Sequence, residues 1–293
     1  MQRIEAVPVQ ATEARGAVRR RGLLREVLRH WPEYLCVAPF FVLFGVFFAY
    51  PIGWALVLSF QRWDGVTDAR WVGLDNYRFV LRDPVTRQMF ETTARNLVVL
   101  VPLGVLLPMV CGVVLNQPGL RLRGLFRTIL FVPVVCSLVV VGIIWKLLFA
   151  GANGWLNGLL AEVGLTQHDW LKDPTLANVP IWSLTVWGSL GFATLIVLGG
   201  LQAIGDDLYD AAKVDGANAW QTFWGITVPL MRPVMLFLLI TSTIGVMTLF
   251  GQPYVVTGGA RIGDASALSF ILTAAMLLVV FVQFRLARRW NEA

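Results

Sequence analysis

Charged residues fall along this chain in clusters separated by long gaps. No Asp, Glu, Lys or Arg occurs from Tyr34 to Gln61, Asn96 to Leu120, Thr128 to Trp145, Pro174 to Gly205, Pro233 to Ala260, or Ala265 to Phe284. Each gap approaches or exceeds the roughly 20 residues a helix needs to cross about 30 Å of hydrocarbon. The runs are continuously apolar and do not alternate at period two, which predicts helices rather than barrel strands. Six spans are expected, near residues 35–60, 96–117, 128–150, 178–201, 233–256 and 265–285. The fold class is all-α and polytopic, with a basic segment over 1–33 followed by one transmembrane domain over 34–293. The first run lies behind basic sequence and exceeds the roughly 7–15 apolar residues of a signal peptide, so it reads as a retained span.

Charge sets the orientation. Only 14% of the 293 residues are charged, against about 25% in soluble domains. Arg15, Arg19, Arg20, Arg21, Arg25 and Arg29 precede the first span. Arg121, Arg123 and Arg127 lie in the second connection, and Arg285, Arg288 and Arg289 follow the last span. With an even number of spans these segments share one face, and the positive-inside rule makes it cytoplasmic. The connection from Gln61 to Arg95 interleaves Asp64, Asp68, Asp75, Asp83 and Glu91 with its arginines and carries Trp63, Trp71 and Tyr77, so it is expected outside. The net charge of +6 then reflects orientation and attraction to anionic lipid, not nucleic-acid binding. Leu24, Val27, Leu28 and Trp31 fit either a surface helix or a basic tail.

The spans carry little that could do chemistry. Lys146, beside Trp145, is placed to snorkel at the end of the third span. His30 and His168 lie outside the apolar runs. Cys36, Cys111 and Cys136 lie inside them and read as packing residues, not as a disulfide or metal site. The lysines are Lys146, Lys172 and Lys213, and none belongs to a phosphate loop. No metal or cofactor is expected, and nucleotide chemistry would have to come from another chain.

Between the fourth and fifth spans, the connection over 202–232 is more elaborate than a plain link. Asp206 and Asp207 suit a helix N-terminus. Asp215-Gly216 reads as a turn, with Gly216 free to take positive φ. Asn218 and Gln221 have the spacing of a capping pair. Trp220, Phe223, Trp224 and Ile226 form one apolar side that would anchor the element, and Pro229 and Pro233 are expected to end the helix and set the entry to the fifth span.

Asp210-Ala211-Ala212, Asp215-Gly216-Ala217, Phe223, Ile226, Pro229 and Pro233 resemble the signature loop of binding-protein-dependent ABC importer permeases, with Asp210 where that family carries Glu. Tyr50-Pro51-Ile52, Gly73-Leu74-Asp75-Asn76-Tyr77, Arg123-Gly124, Phe126-Arg127, Pro133, Trp145, Tyr254 and Thr257-Gly258-Gly259 resemble its carbohydrate branch, of the maltose-transporter type. The resemblance implies a cell-membrane permease subunit with both termini cytoplasmic and a coupling-helix loop. It implies a second permease as heterodimer partner, two ATP-binding cassette subunits that bind the ATP, and an extracytoplasmic solute-binding protein. The protein itself would then be no enzyme. The candidate solute is a sugar; a polyol or glycerol-phosphate permease, or a membrane scaffold without transport, are the alternatives. Sugars are held by aromatic faces and hydroxyl or amide groups, which makes Trp187, Ser189, Thr241, Ser242, Thr248, Gln252 and Tyr254 the pathway candidates. Thr257-Gly258-Gly259 is followed almost at once by Gly263-Asp264-Ala265-Ser266-Ala267, a shorter connection than the family's. It predicts a tight turn with the outer ends of the fifth and sixth spans adjacent and antiparallel, and contact with the binding protein shifted onto 61–95 and 151–178.

Overall fold

The computed structural model describes residues 30–117, 119–151, 154–173, 175–249 and 262–292. The first span is a rod over Trp31–Leu58, built of α1 (Trp31–Phe44), a π-helical turn (Gly45–Ala49) and α2 (Tyr50–Leu58). A small hairpin follows, in which β1 (Gln61–Arg62) pairs antiparallel with β2 (Arg70–Trp71). Then come α3 (Asp75–Arg82), α4 (Pro84–Asn116), α5 (Arg123–Val135), α6 (Leu138–Leu148) and α7 (Trp155–Glu162). Next are α8 (Asn178–Gln202), α9 (Asp206–Val214) and α10 (Ala219–Thr222), a second π-helical turn (Phe223–Thr227), α11 (Val228–Thr248) and α12 (Ile262–Glu292). Five rods among the described residues are long and apolar enough to cross a membrane, and α5 with α6 makes a sixth if that bent pair is one span.

Proline explains the π turns and overturns one expectation. Pro51 and Pro229 carry no N–H, and each ring would press on the carbonyl four residues back. In both places the residue before the proline donates five residues back instead, Tyr50 to Gly45 and Val228 to Phe223. The widened turn makes room for the ring, and the helix runs on. Pro229 and Pro233 therefore do not stop the helix: Ala219–Thr248 is one 30-residue rod.

The third span also departs from the expected continuous helix over 128–150. Pro133 lies in the last turn of α5, and Cys136 N–H closes back onto the Pro133 carbonyl at 3.3 Å. Cys136 and Ser137 are extended, and the chain turns through 104° into α6. The second span differs at its start. Asp83 accepts from Thr86 N–H and hydroxyl, both at 2.9 Å, and with Pro84 in the first turn it begins α4 well before the apolar run. Of the three cysteines, Cys36 and Cys136 are exposed and only Cys111 is partly packed.

The core lies between α4, α8 and α11, where Val105, Met109, Val197, Leu201, Met231 and Leu238 bury one another. Contact is close because glycines stand at the crossings. A Cβ on Gly191 would collide with the Leu130 carbonyl of α5, and one on Gly112 with Val197. The last span packs on the connection that follows the first span. Ala267 and Leu268 bury Val80, and Gly263 sits where a Cβ would strike the Gln61 carbonyl. Buried Asn76 donates to the Ser59 and Gln61 carbonyls at 3.0 and 2.8 Å. Beside them, Asp64 is held down to about 2 by the N–H groups of Thr67 and Val66, so this turn keeps its charge in any physiological medium.

The adjacent, antiparallel outer ends expected of the last two spans fall on residues outside the described ones. Gln283 donates to Thr243 Oγ1 at 2.6 Å. Thr243 is about a turn and a half from the end of α11, whereas Gln283 is about six turns, or about 30 Å, into α12. Thr243 and Gln283 therefore lie at one level of the bundle. The connection itself, with Thr257-Gly258-Gly259, lies outside the described residues, as do residues 1–29.

Gly191→Ala places a methyl against backbone that cannot step aside. It is expected to cost about 1–3 kcal/mol, read as a lower thermal midpoint in detergent. Gly53→Ala, with nothing within 4 Å of its Cβ, is expected to leave the midpoint unchanged.

Candidate functional site: an exposed helix–turn–helix and an interhelical cavity

The connection between α8 and α11 is a compact unit made by local rules. α9 opens with Asp206 and Asp207 in its first turn and Lys213 in its last, matching the helix dipole at both ends. It closes in a Schellman motif: Ala217 N–H reaches the Ala212 carbonyl at 2.9 Å and Gly216 N–H the Lys213 carbonyl at 3.1 Å. Gly216 has φ 77°. Asn218 and Gln221 form the expected capping box, with both bonds made at 2.9 and 2.8 Å. Tyr209 OH lies 3.2 Å from Thr227 Oγ1 and ties α9 to the π-helical turn beneath it.

Exposure sorts the residues of this unit. Asp210, Ala211, Asp215 and Gly216 are exposed, Ala212 is buried, and Ala217, Phe223, Ile226 and Pro229 are half-buried. Phe223 packs on the α4–α8–α11 core and is the anchor expected of it. Trp220 and Trp224 are not: they are 70% and 52% exposed, stacked edge-on to each other with centroids 5.6 Å apart. One contact was missed in the sequence. Lys213 Nζ donates to Asp210 Oδ1 at 2.8 Å, and that bond and its charge raise the Lys213 pKa. The i, i+3 spacing was the available signal.

A cavity of about 640 Å³ opens among α4, α5, α6, α8 and α11. Trp187, Ser189, Thr241 and Ser242 line it together; Thr248 does not, and its hydroxyl bonds the Gly245 carbonyl at 2.9 Å. Gln252 and Tyr254 lie outside the described residues. Pro133 and Cys136, at the break between α5 and α6, supply one wall. Non-helical backbone at membrane depth is tolerated where protein or a cavity surrounds it. Ser189 and Thr241 donate to carbonyls of their own helices, Val186 and Phe237, so toward the cavity they present acceptor lone pairs. Trp187 is held by Trp145, with ring centroids 4.9 Å apart, and Trp145 Nε1 donates to Ser183 Oγ at 3.0 Å. Trp145 thus positions a cavity residue from a neighbouring helix, a long-range contact with no local signal.

After α6, buried Asn157 uses its whole amide. Nδ2 donates to the Gly151 and His168 carbonyls at 2.9 and 2.6 Å, and Oδ1 accepts from His168 N–H and Trp170 Nε1 at 3.1 and 3.0 Å. It holds the 151–170 segment in one shape.

A spanning bundle with an exposed signature-like turn narrows the choice of families, and comparison decides it. The family described as binding-protein-dependent transport system inner membrane component matches residues 104–291. The chain belongs to this family. It is 34% identical over 280 residues to the lactose transport system permease protein LacF of Rhizobium radiobacter, covering 87% of this chain and 93% of the relative. It is 34% identical over 227 residues to the arabinooligosaccharides permease AraP of Bacillus subtilis, covering 76% and 71%. It is 32% identical over 239 residues to the trehalose/maltose permease MalF of Thermococcus litoralis, covering 81% of each. In fold it is similar to a chain of the bacterial alginate ABC transporter crystallised with an alginate-bound periplasmic protein, at TM-score 0.76 and 20% identity, covering 92% of this chain and 99% of that one. The protein is therefore a multi-pass ABC permease, a transport subunit and not a catalytic enzyme, with its ATPase on a separate subunit. Its family works with a solute-binding protein.

Because no atom lies within 4 Å of a Cβ at Gly216, Gly216→Ala tests backbone conformation alone. Forcing a Cβ into the left-handed region is expected to cost about 1–2 kcal/mol, and Gly216→Asn about half of that or less. Thermal unfolding of the two variants checks the order.

Proposed function

We propose that this chain is one of two paired permeases of an ATP-driven sugar importer and forms half of its translocation pathway. Two ATP-binding cassette subunits bind the ATP, and an extracytoplasmic binding protein delivers the solute. Asp210, Ala211, Ala212, Asp215, Gly216, Ala217, Phe223, Ile226 and Pro229 form or support the surface that docks into an ATPase subunit. Both termini are cytoplasmic, as the arginine bias requires.

The observation that carries this reading is the continuity of Ala219–Thr248. One end of that rod belongs to the exposed helix–turn–helix. The other supplies Phe237, Thr241, Ser242 and Gly245 to the cavity. A push on the docking surface is therefore a movement of the cavity wall, with no flexible link between them to absorb it, as rigid-body switching needs. Trp187 offers an aromatic face, and Ser189, Thr241 and Ser242 offer hydroxyl oxygens, a combination suited to a sugar ring. The names of the relatives, for lactose, arabinooligosaccharides and trehalose or maltose, favour the same class. A polyol or similar osmolyte is the second reading. It is favoured by 30% identity over 229 residues to the osmoprotective compounds uptake permease GgtC of Synechocystis.

With the chain reconstituted beside its partner subunits, Trp187→Ala is expected to lower sugar uptake by about tenfold, the scale of one aromatic contact. ATP hydrolysis stimulated by the binding protein should persist. Asp210→Lys should instead abolish both, since it breaks the pair with Lys213 and reverses charge at the docking surface. Uptake at the normal rate in both variants would refute the assignment. A cysteine at Ala293 should resist an impermeant thiol reagent in intact cells, and ready labelling would reverse the topology.

A further inference from the structure

A second, smaller crevice lies away from the cavity, between the end of α4 and the start of α5. Its volume is about 270 Å³, and Val110, Cys111, Val114, Phe126, Ile129 and Leu130 are among its lining residues, none of them charged. Three arginines neighbour its lining residues along the chain. Arg121 immediately follows the lining residue Leu120, Arg123 is one helical turn before Phe126, and Arg127 is one turn before Leu130, so both sit on the lining face of α5. Leu122 between them takes φ 63°, unusual for a branched side chain, and α5 starts directly from that bend.

The arginine charges are unbalanced. No Asp or Glu occurs between Glu91 and Glu162, and among the described residues none of the three arginines forms an ion pair. Arg123 has its Nε and Nη2 buried without a hydrogen-bond partner. A buried guanidinium edge lacking an acceptor is costly, and its planar fork matches two oxygens of a tetrahedral phosphate diester. Beside it is an apolar slot at the depth of the lipid chains.

We propose that this crevice binds one anionic phospholipid. One acyl chain lies against Val110, Val114 and Ile129, and the headgroup phosphate sits on Arg123 between Arg121 and Arg127. The charge complementarity selects the headgroup, and the adjoining slot selects a lipid over a free phosphate. A bound lipid here would wedge α4 against α5 and so steady the wall that α5 gives to the cavity.

Native mass spectrometry of the full chain with its partner subunits tests this. Phosphatidylglycerol or phosphatidylcholine with the same palmitoyl and oleoyl chains is added to the detergent-purified complex. Phosphatidylglycerol is expected to be retained in preference to phosphatidylcholine. Arg123→Ala should lower that retention at least about fivefold, the scale of one basic side chain at a headgroup. Val110→Trp, which fills the slot from an exposed position and leaves the arginines intact, should lower it similarly. Arg285→Ala on α12, outside the crevice, should not. Equal retention of the two lipids, or undiminished retention in Arg123→Ala, would overturn the proposal. Displacement of the lipid by an equal concentration of inorganic phosphate would also overturn it, reducing the crevice to an anion cradle.

Discussion

Helix α8 meets its neighbours at bare backbone. At Gly191 it accepts the Leu130 carbonyl of α5 where any side chain would collide, and Gly112 of α4 makes the same room for Val197 of α8. Lipid is as apolar as leucine, so burying a leucine against another helix gains little in a bilayer. What remains is van der Waals contact, which falls away within a fraction of an ångström. The bundle therefore depends on a few crossings where glycine lets the helices touch. The cavity lies between the same helices, so its shape is set by those crossings as much as by its lining.

The second constraint is that every backbone group at membrane depth needs a partner. The chain carries prolines in several spans and handles them differently according to place. At Pro51 and Pro229 one widened turn absorbs the ring and the rod stays whole. At Pro133 the helix ends, and the break faces the cavity. The first outcome makes a stiff member joining the exposed turn to the cavity. The second makes a cavity wall with irregular backbone. The same residue type thus gives stiffness in one helix and relief in another.

Features set within a few residues were legible in the sequence. The start of α9 at Asp206, the Gly216 turn and the Asn218–Gln221 box each follow from one or two side chains acting on nearby backbone. The run of six apolar stretches gave the spanning class for the same reason. Pro229 and Pro233 were misread as stops because local rules do not include the π turn that rescues the helix. The bend after Val135 and the pairing of Trp145 with Trp187 depend on which helices become neighbours, and no spacing along the chain reports that. Nor does any spacing report the bond between Gln283 of α12 and Thr243 of α11. Among the pathway candidates, Trp187, Ser189, Thr241 and Ser242 share one cavity, which wraps around α8 from Leu184 to Ser189. Thr248 lies outside that lining, near the end of α11.

The packing of the outer layer bears on the order in which the protein can be made. The first span has no buried residue before Leu58, and from there its neighbours are the hairpin, α3 and the start of α12. Buried Val80 is covered by Ala267 and Leu268, and Gly263 lies against Gln61 and Asn76. A segment translated before the α4–α8–α11 core and one translated after it are thus partners in space. Throughout most of synthesis, the first span and its loop must wait in the bilayer with this surface uncovered, while the α4–α8–α11 core can already close. The last helix then completes the layer from outside. A chain halted before residue 262 would therefore keep its central bundle and leave Val80 and the Gln61–Asn76 edge uncovered.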